Sequence, residues 1–316
     1  MTNGDPNSRR KIRILILAAV LALIAVIGAA GYWHFWWTRP IGAGPAGPPV
    51  PTTSFAKPWS TKPILLVGIG DSVTAGFGAR RGYSYFDRLI TNPTDEYGEM
   101  SGRCLQQVLP NLQFTNLAIS GSTSGQHFGR QLPRLPLADS NTVALVVMTT
   151  GGNDIIHNYG RSAPREEAMY GATWTEAASW VTNFEQRLET MVEQINAHFP
   201  AGCHIFLANI FDPTDGVGDI RRTGLPAWRD GLQILTAYNG AIRRCSEKHP
   251  YVHLVDNYSA FLGHGIHCTQ PWSAHYDSKD PHYWYYVNLE DPNERGYDAI
   301  RRLMLLEIAK VADRLN

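Results

Sequence analysis

The sequence predicts an α/β domain, a parallel sheet covered by helices on both faces, behind one membrane-spanning helix. Three observations lead there. From residue 64 onward, five short strand-like runs recur, with helix-like segments alternating between them. The first of these, Ile64-Leu65-Leu66-Val67, is continuously apolar, as a strand covered on both faces must be. Ahead of them Ile14 to Gly31 is uninterrupted apolar sequence, close to the roughly 20 residues that cross a bilayer core.

Taken in order, residues 1–13 form a polar tail carrying Arg9, Arg10, Lys11 and Arg13. Residues 14–37 form the expected transmembrane anchor, ending in Tyr32, Trp33, Phe35, Trp36 and Trp37. Basic residues stay on the cytoplasmic side and aromatic rings favour the interface, so the remainder of the chain is expected to be extracytoplasmic. The alternative is a cleaved signal peptide, for which Gly28-Ala29-Ala30-Gly31 would be the cleavage region. The bulky aromatics that follow favour an uncleaved anchor. Residues 38–61 contain Pro40, Pro45, Pro48, Pro49 and Pro51 and show no apolar periodicity. That composition predicts a semi-extended spacer holding the catalytic part away from the membrane surface.

Residues 62–316 are long enough for one large globular domain. Lysines plus arginines and aspartates plus glutamates number 28 each, and this balance gives no sign of a nucleic-acid partner. Strands are expected at Ile64–Gly68, Gln113–Leu117, Val143–Thr149, His204–Ala208 and Val252–Val255. Between Thr175 and Phe199 the positions Trp180, Val181, Phe184, Leu188, Met191, Val192, Ile195 and Phe199 fall at helical spacing, a core stripe. Leu232–Lys248 and Tyr297–Leu315 read as helices on the same grounds. The four cysteines, Cys104, Cys203, Cys245 and Cys268, form no Cys-x-x-Cys pair. An extracytoplasmic location permits two disulfides, and the strand assignment favours Cys203–Cys245 with Cys104–Cys268; buried free thiols are the alternative.

The chemistry concentrates at strand ends. The first strand runs into Gly68-Ile69-Gly70-Asp71-Ser72-Val73-Thr74-Ala75-Gly76, which delivers a hydroxyl, Ser72, to the carboxyl edge where open α/β sheets bind ligands. A third glycine for a dinucleotide loop is missing, as is the Gly-Lys-Ser/Thr of a phosphate loop. Asp71-Ser72 could also serve merely as a helix cap. The second strand is followed by Ser120-Gly121-Ser122 and the third by Gly151-Gly152-Asn153-Asp154. Asp291-Pro292-Asn293-Glu294-Arg295-Gly296-Tyr297 opens the last helix.

With these motifs in this order, residues 62–316 resemble the SGNH/GDSL hydrolases, mostly esterases, lipases, carbohydrate deacetylases and acyltransferases. The resemblance implies a flavodoxin-like three-layer fold. It also implies Ser72 as nucleophile, with an oxyanion hole from the Gly121 N–H and the Asn153 side chain. Such donors, aimed where the tetrahedral oxyanion develops, supply much of the acceleration in acyl transfer. The family's closing Asp-x-x-His is not matched: Asp291 stands where the histidine belongs and Asn288 where its aspartate belongs.

A carboxylate of ordinary pKa near 4 is a weak base for a serine hydroxyl. A displaced histidine is therefore sought in the long segment 261–287, with His282 first and His267 second. A metal site made from His264, His267, His275, His282, Asp277 and Asp280 has no matching ligand spacing, and no cofactor is expected. The sequence thus predicts a membrane-anchored serine esterase acting on an ester-bearing small molecule, lipid or glycan. Two alternatives remain, an acyltransferase on a glycan and a binding protein on a hydrolase scaffold.

Overall fold

The computed structural model of the protein describes residues 6–315. Residues 1–5 of the basic tail therefore lie outside the described residues. Helix α1 (Pro6–Tyr32) continues through Trp33–Trp37, and its apolar side chains are exposed along their length. Among the described residues it is the one helix long and apolar enough to cross a membrane.

The domain then runs β1 (Ile64–Ile69), α2 (Ser72–Ala75), α3 (Tyr85–Ile90), α4 (Leu105–Val108), β2 (Leu112–Asn116) and α5 (Ser124–Gln126). It continues with β3 (Val143–Thr149), α6 (Gly152–Ile156), α7 (Trp174–His198), β4 (Cys203–Ala208) and α8 (Gly231–Lys248). β5 (Val252–Val255), α9 (Asn257–Phe261) and α10 (Glu294–Ala309) complete it.

All five strands are parallel, in the order β2-β1-β3-β4-β5, the flavodoxin-like arrangement. Every residue of β1 is buried, which explains its unbroken apolar run, whereas β2 at one edge leaves Phe114 exposed. Alternate residues of β1 serve two cores. Ile64 and Leu66 pack with α3 and α10, while Leu65 and Val67 pack with the α7 stripe and α8. Sequence order reverses on either side of β1, so the ends of β1, β2 and β3 open a crevice between them.

Two expectations change. All four cysteines are buried free thiols, with no disulfide among them. Cys203 begins β4 and its sulfur contacts Asn196 Oδ1 at 3.6 Å, while Cys104 and Cys268 are small apolar fillers of the chain. Nor is segment 38–61 a free spacer. It lies along the domain as a strap: the Tyr283 amide donates to Pro40 O at 2.8 Å, and Arg295 Nη1 donates to Ala43 O at 2.7 Å. The Ala46 amide donates to Asp298 Oδ2 at 3.1 Å, and Ala46, Val50 and Phe55 enter the core against α10. Gly47, at φ +89°, passes so close to α10 that a Cβ there would lie 2.7 Å from Ala299 Cα.

Candidate active site

Gly70 brings β1 to an abrupt end beside β3. A Cβ on it would lie 2.6 Å from the Thr149 carbonyl oxygen, so only glycine lets the chain turn there. Asp71 then caps α2, accepting from the Val73 amide at 3.1 Å and from Thr149 Oγ1 at 2.8 Å. Thr149 is held in turn by Thr74, whose hydroxyl meets Tyr85 OH at 2.6 Å. Burial pushes the Asp71 carboxyl up to about 6, against the hydrogen bonds from Thr149 and Val73, and the nearby Asp291 adds to the rise. Ser72, the first residue of α2, faces the crevice.

The loop after β2 is fixed from below. Ser122 Oγ donates to Gly70 O at 3.0 Å, and the Gln131 side-chain amide bonds both Gly70 N and Gly70 O at 2.8 Å. His127 spans from Ser122 Oγ to Thr150 Oγ1, each at 2.9 Å, and burial pushes its pKa down to about 3, so it is neutral here. Gly121 sits at the tip with φ +78° and open space where a Cβ would be. Asn153, in α6, donates one amide N–H to Ser122 O at 3.0 Å, leaving a second N–H on the same nitrogen. The neighbouring Asp154 accepts from Ser124 N at 2.8 Å and from its hydroxyl, tying the loop to α6. Burial pushes Asp154 up to about 6 as well.

Asp291 arrives from the segment before α10. It is buried, and Asn288 Nδ2 donates to its Oδ2 at 2.7 Å. Ser72 stands close enough to this carboxyl to favour its charged form, and Oδ1 has no hydrogen-bond partner. Burial raises the Asp291 pKa overall, with Ser72 and Asn288 offsetting part of the rise. The structure therefore brings Ser72 and Asn153 to the lining of one cavity, sets Gly121 at the tip of the loop that follows β2, and adds Asp291 near Ser72, backed by Asn288.

It does not bring either histidine there. His282 bonds Asp280 at 2.5 Å, packs on Gly42 of the strap and lines a separate cavity with Arg295. His267 is buried between Asp219 and Gln270, each at 2.9 Å. His264 stacks on Trp284 with ring centroids 3.5 Å apart. Segment 261–287 thus folds over the strap and α10 rather than over the crevice. Away from it, Glu189, Cys245 and His249 converge where α7 meets α8, but Lys248 Nζ already balances Glu189 at 2.6 Å.

Beside Ser72 lies a cavity of about 160 Å³. Its body is apolar, with Ile155, Ile156, Ile210, Leu225, Trp228 and Leu232, while Asn288 and Glu290 add polar groups to the lining. Two rim residues, Tyr159 (φ +49°) and Leu289 (φ +67°), hold left-handed backbone that side chains rarely adopt.

A serine at the carboxyl edge of a flavodoxin-like sheet, at a cavity that a side-chain amide also lines, is an arrangement suited to acyl transfer. A family-wide comparison agrees: residues 69–299 match the GDSL-like lipase/acylhydrolase family. The chain belongs to that family and is an ester hydrolase. No curated protein matches it. Among solved structures it is similar to an extracellular lipase from Streptomyces rimosus, at 18% identity over 79% of this chain and 100% of that one, TM-score 0.48. An acetylxylan esterase from Geobacillus stearothermophilus is 17% identical over 80% and 94% of the two chains, TM-score 0.46. A lipolytic protein from Veillonella parvula is 15% identical over 78% and 97%, TM-score 0.46.

Proposed function

We propose that the chain is a membrane-anchored, extracytoplasmic serine esterase in which a carboxylate, Asp291, handles the proton. The observation that carries this reading is the buried Asp291 carboxyl, close enough to Ser72 for the serine to favour its charged form, with an Oδ1 that has no hydrogen-bond partner. As Ser72 Oγ attacks the ester carbonyl carbon, its proton passes to Asp291. The Gly121 N–H and the free N–H of Asn153 receive the oxyanion. Collapse breaks the bond to the alkoxy oxygen, which takes the proton back from Asp291. Water then attacks the acyl-serine by the same route, releasing the acid and restoring Ser72.

Asn288 holds Asp291 in place, and burial makes the carboxyl a stronger base than one in water. Gly121 and Asn153 would serve hydrolysis and transfer to a glycan hydroxyl alike, and the apolar lining of the cavity favours an acyl ester. Support for the anchor comes from the exposed apolar length of α1 and from the basic residues at its N-terminal end.

The test is hydrolysis of p-nitrophenyl acetate by the full chain in detergent. Ser72→Ala abolishes turnover and Asp291→Asn lowers kcat by about 100-fold, within the range of general-base losses. His282→Ala and His267→Ala leave it within twofold. Loss of activity in either histidine variant, with Asp291→Asn unaffected, would return the base to segment 261–287. Equal inertness of wild type and Ser72→Ala would leave a site that binds without turnover.

A further inference from the structure

The anchor does not end free of the domain. Gln270 Nε2 donates to Phe35 O at 2.8 Å and Thr269 Oγ1 to His34 O at 3.4 Å. Trp272 packs with ring centroids 4.9 Å from Phe35 and 5.0 Å from Trp36. On the other side, the Arg222 guanidinium lies 5.1 Å from the Trp36 ring centre. Arg222 is braced by Asp219 at 3.4 Å and by His267 Nδ1 at 3.4 Å, and His267 is itself bonded to Asp219.

This brace belongs to the segment that walls the cavity beside Ser72. Gly218, Ile220 and Leu225 line that cavity, so Ile220 and Arg222, two residues apart, face the cavity and the anchor respectively. Val217 and Trp272 stand exposed at 54% and 56%, the one at the start of the cavity wall and the other on the anchor's end. Tryptophans and tyrosines settle at the headgroup level of a bilayer, which places the cavity wall beside that level. An acyl chain that left the bilayer for water would expose every methylene, whereas an apolar wall reaching the interface spares it. An acetyl group would leave most of the cavity's apolar lining bare. A volume of about 160 Å³ is comparable with the ~150 Å³ that accommodates benzene in an apolar core.

Resting on the anchored-esterase reading above, we propose that the substrate is an acyl ester resident in the same bilayer that α1 crosses. Its chain passes along Val217, Ile220 and Leu225 into the cavity, which presents the ester carbonyl to Ser72. Water supplies the hydroxyl of the released fatty acid and the proton of the released alcohol.

The experiment reconstitutes the full chain into phosphatidylcholine vesicles and compares two substrates with one leaving group. These are p-nitrophenyl butyrate in the water and p-nitrophenyl palmitate dissolved in the vesicles. Both are cleaved by the wild type and neither by Ser72→Ala. In the double variant Arg222→Ala/Trp272→Ala, which removes the side chains that pack on the anchor's aromatic end, palmitate turnover drops at least fivefold and butyrate turnover stays within twofold. Far-ultraviolet circular dichroism and the retained butyrate rate show that the variant is folded. Unchanged palmitate turnover in that variant overturns the proposal. So does Ser72-dependent cleavage of butyrate without palmitate, which leaves the esterase reading standing. Inertness toward both substrates removes the two readings together.

Discussion

In the proposed mechanism the chemistry turns on Asp291, and its surroundings explain how a carboxylate could act where the family resemblance implies an imidazole. Burial raises its pKa and Asn288 fixes its orientation, so a weak base is strengthened and aimed. Because its folded pKa lies above the ordinary 3.8, the acid limb of the kcat profile belongs to carboxyl groups, here Asp291 coupled to the neighbouring Asp71. Installing the pair that the family resemblance implies, Asp291→His with Asn288→Asp, is expected to raise kcat about tenfold or more. It also moves the acid limb toward the histidine range near 6.5. A pH–rate profile of the double variant checks both, and an unchanged limb would remove Asp291 from the proton path. The residues that position this site were partly legible in the sequence. Ser72, Gly121 and Asn153 stand in motifs with fixed spacing from strand ends. Asp291 stood at the matching position too, but charge at ordinary pKa argued against it, and burial cannot be read from spacing. The histidines drew attention by residue type and by their place in the long segment 261–287, but the contacts that hold them, Asp280 for His282 and Asp219 for His267, keep them away from Ser72 and are set by the fold.

Among elements, the strands were the most legible because continuous apolar runs mark doubly covered strands directly. The α7 stripe was equally plain, and Phe184 at its centre is fully buried against Tyr238, ring centroids 4.1 Å apart. Phe184→Ala should cost about 3–5 kcal/mol by opening a cavity, read as a lower denaturant midpoint with unchanged slope. The strap was illegible for a definite reason. Its anchoring comes from side chains elsewhere, Arg295 and Asp298, reaching its backbone, so its own Pro/Gly composition reads as a spacer. Gly47→Val places a branched side chain against Ala299 in left-handed backbone and should loosen the strap. Limited proteolysis within residues 40–52 would then proceed at least several-fold faster, while unchanged cleavage would mean that the strap holds without this contact. The cysteine pairing failed similarly: an even count permits bridges but says nothing about where four buried sulfurs lie.

At the scale of the whole molecule, burial of carboxyls sets the pH of greatest stability. Asp71, Asp154 and Asp215 are each pushed by burial to about 6 from 3.8. Their contribution is full below the unfolded value and is lost as pH rises through about 6. Glu96 runs the other way. Its burial is outweighed by Arg301 and Arg88, which pull it to about 2, so its contribution holds above 4.5 and fades as pH falls toward 2. The melting temperature should therefore be higher near pH 5 than at pH 7.5, and Asp154→Asn should flatten that difference. A melting temperature that rises steadily from pH 5 to 7.5 would contradict the raised carboxyls.

The strap has a last consequence, for the timing of biogenesis. Its partners, Tyr283, Arg295, Asp298 and Ala299, belong to the final 34 residues of a 316-residue chain, and Ser60 Oγ donates to Leu315 O at 2.7 Å. Synthesis runs from the N-terminus, so the apolar helix emerges long before these surfaces exist. The segment behind it must wait, undocked, until the last helix is released. Asp291 lies in that same late stretch, so the proposed proton acceptor arrives in the same closing event that seats the strap.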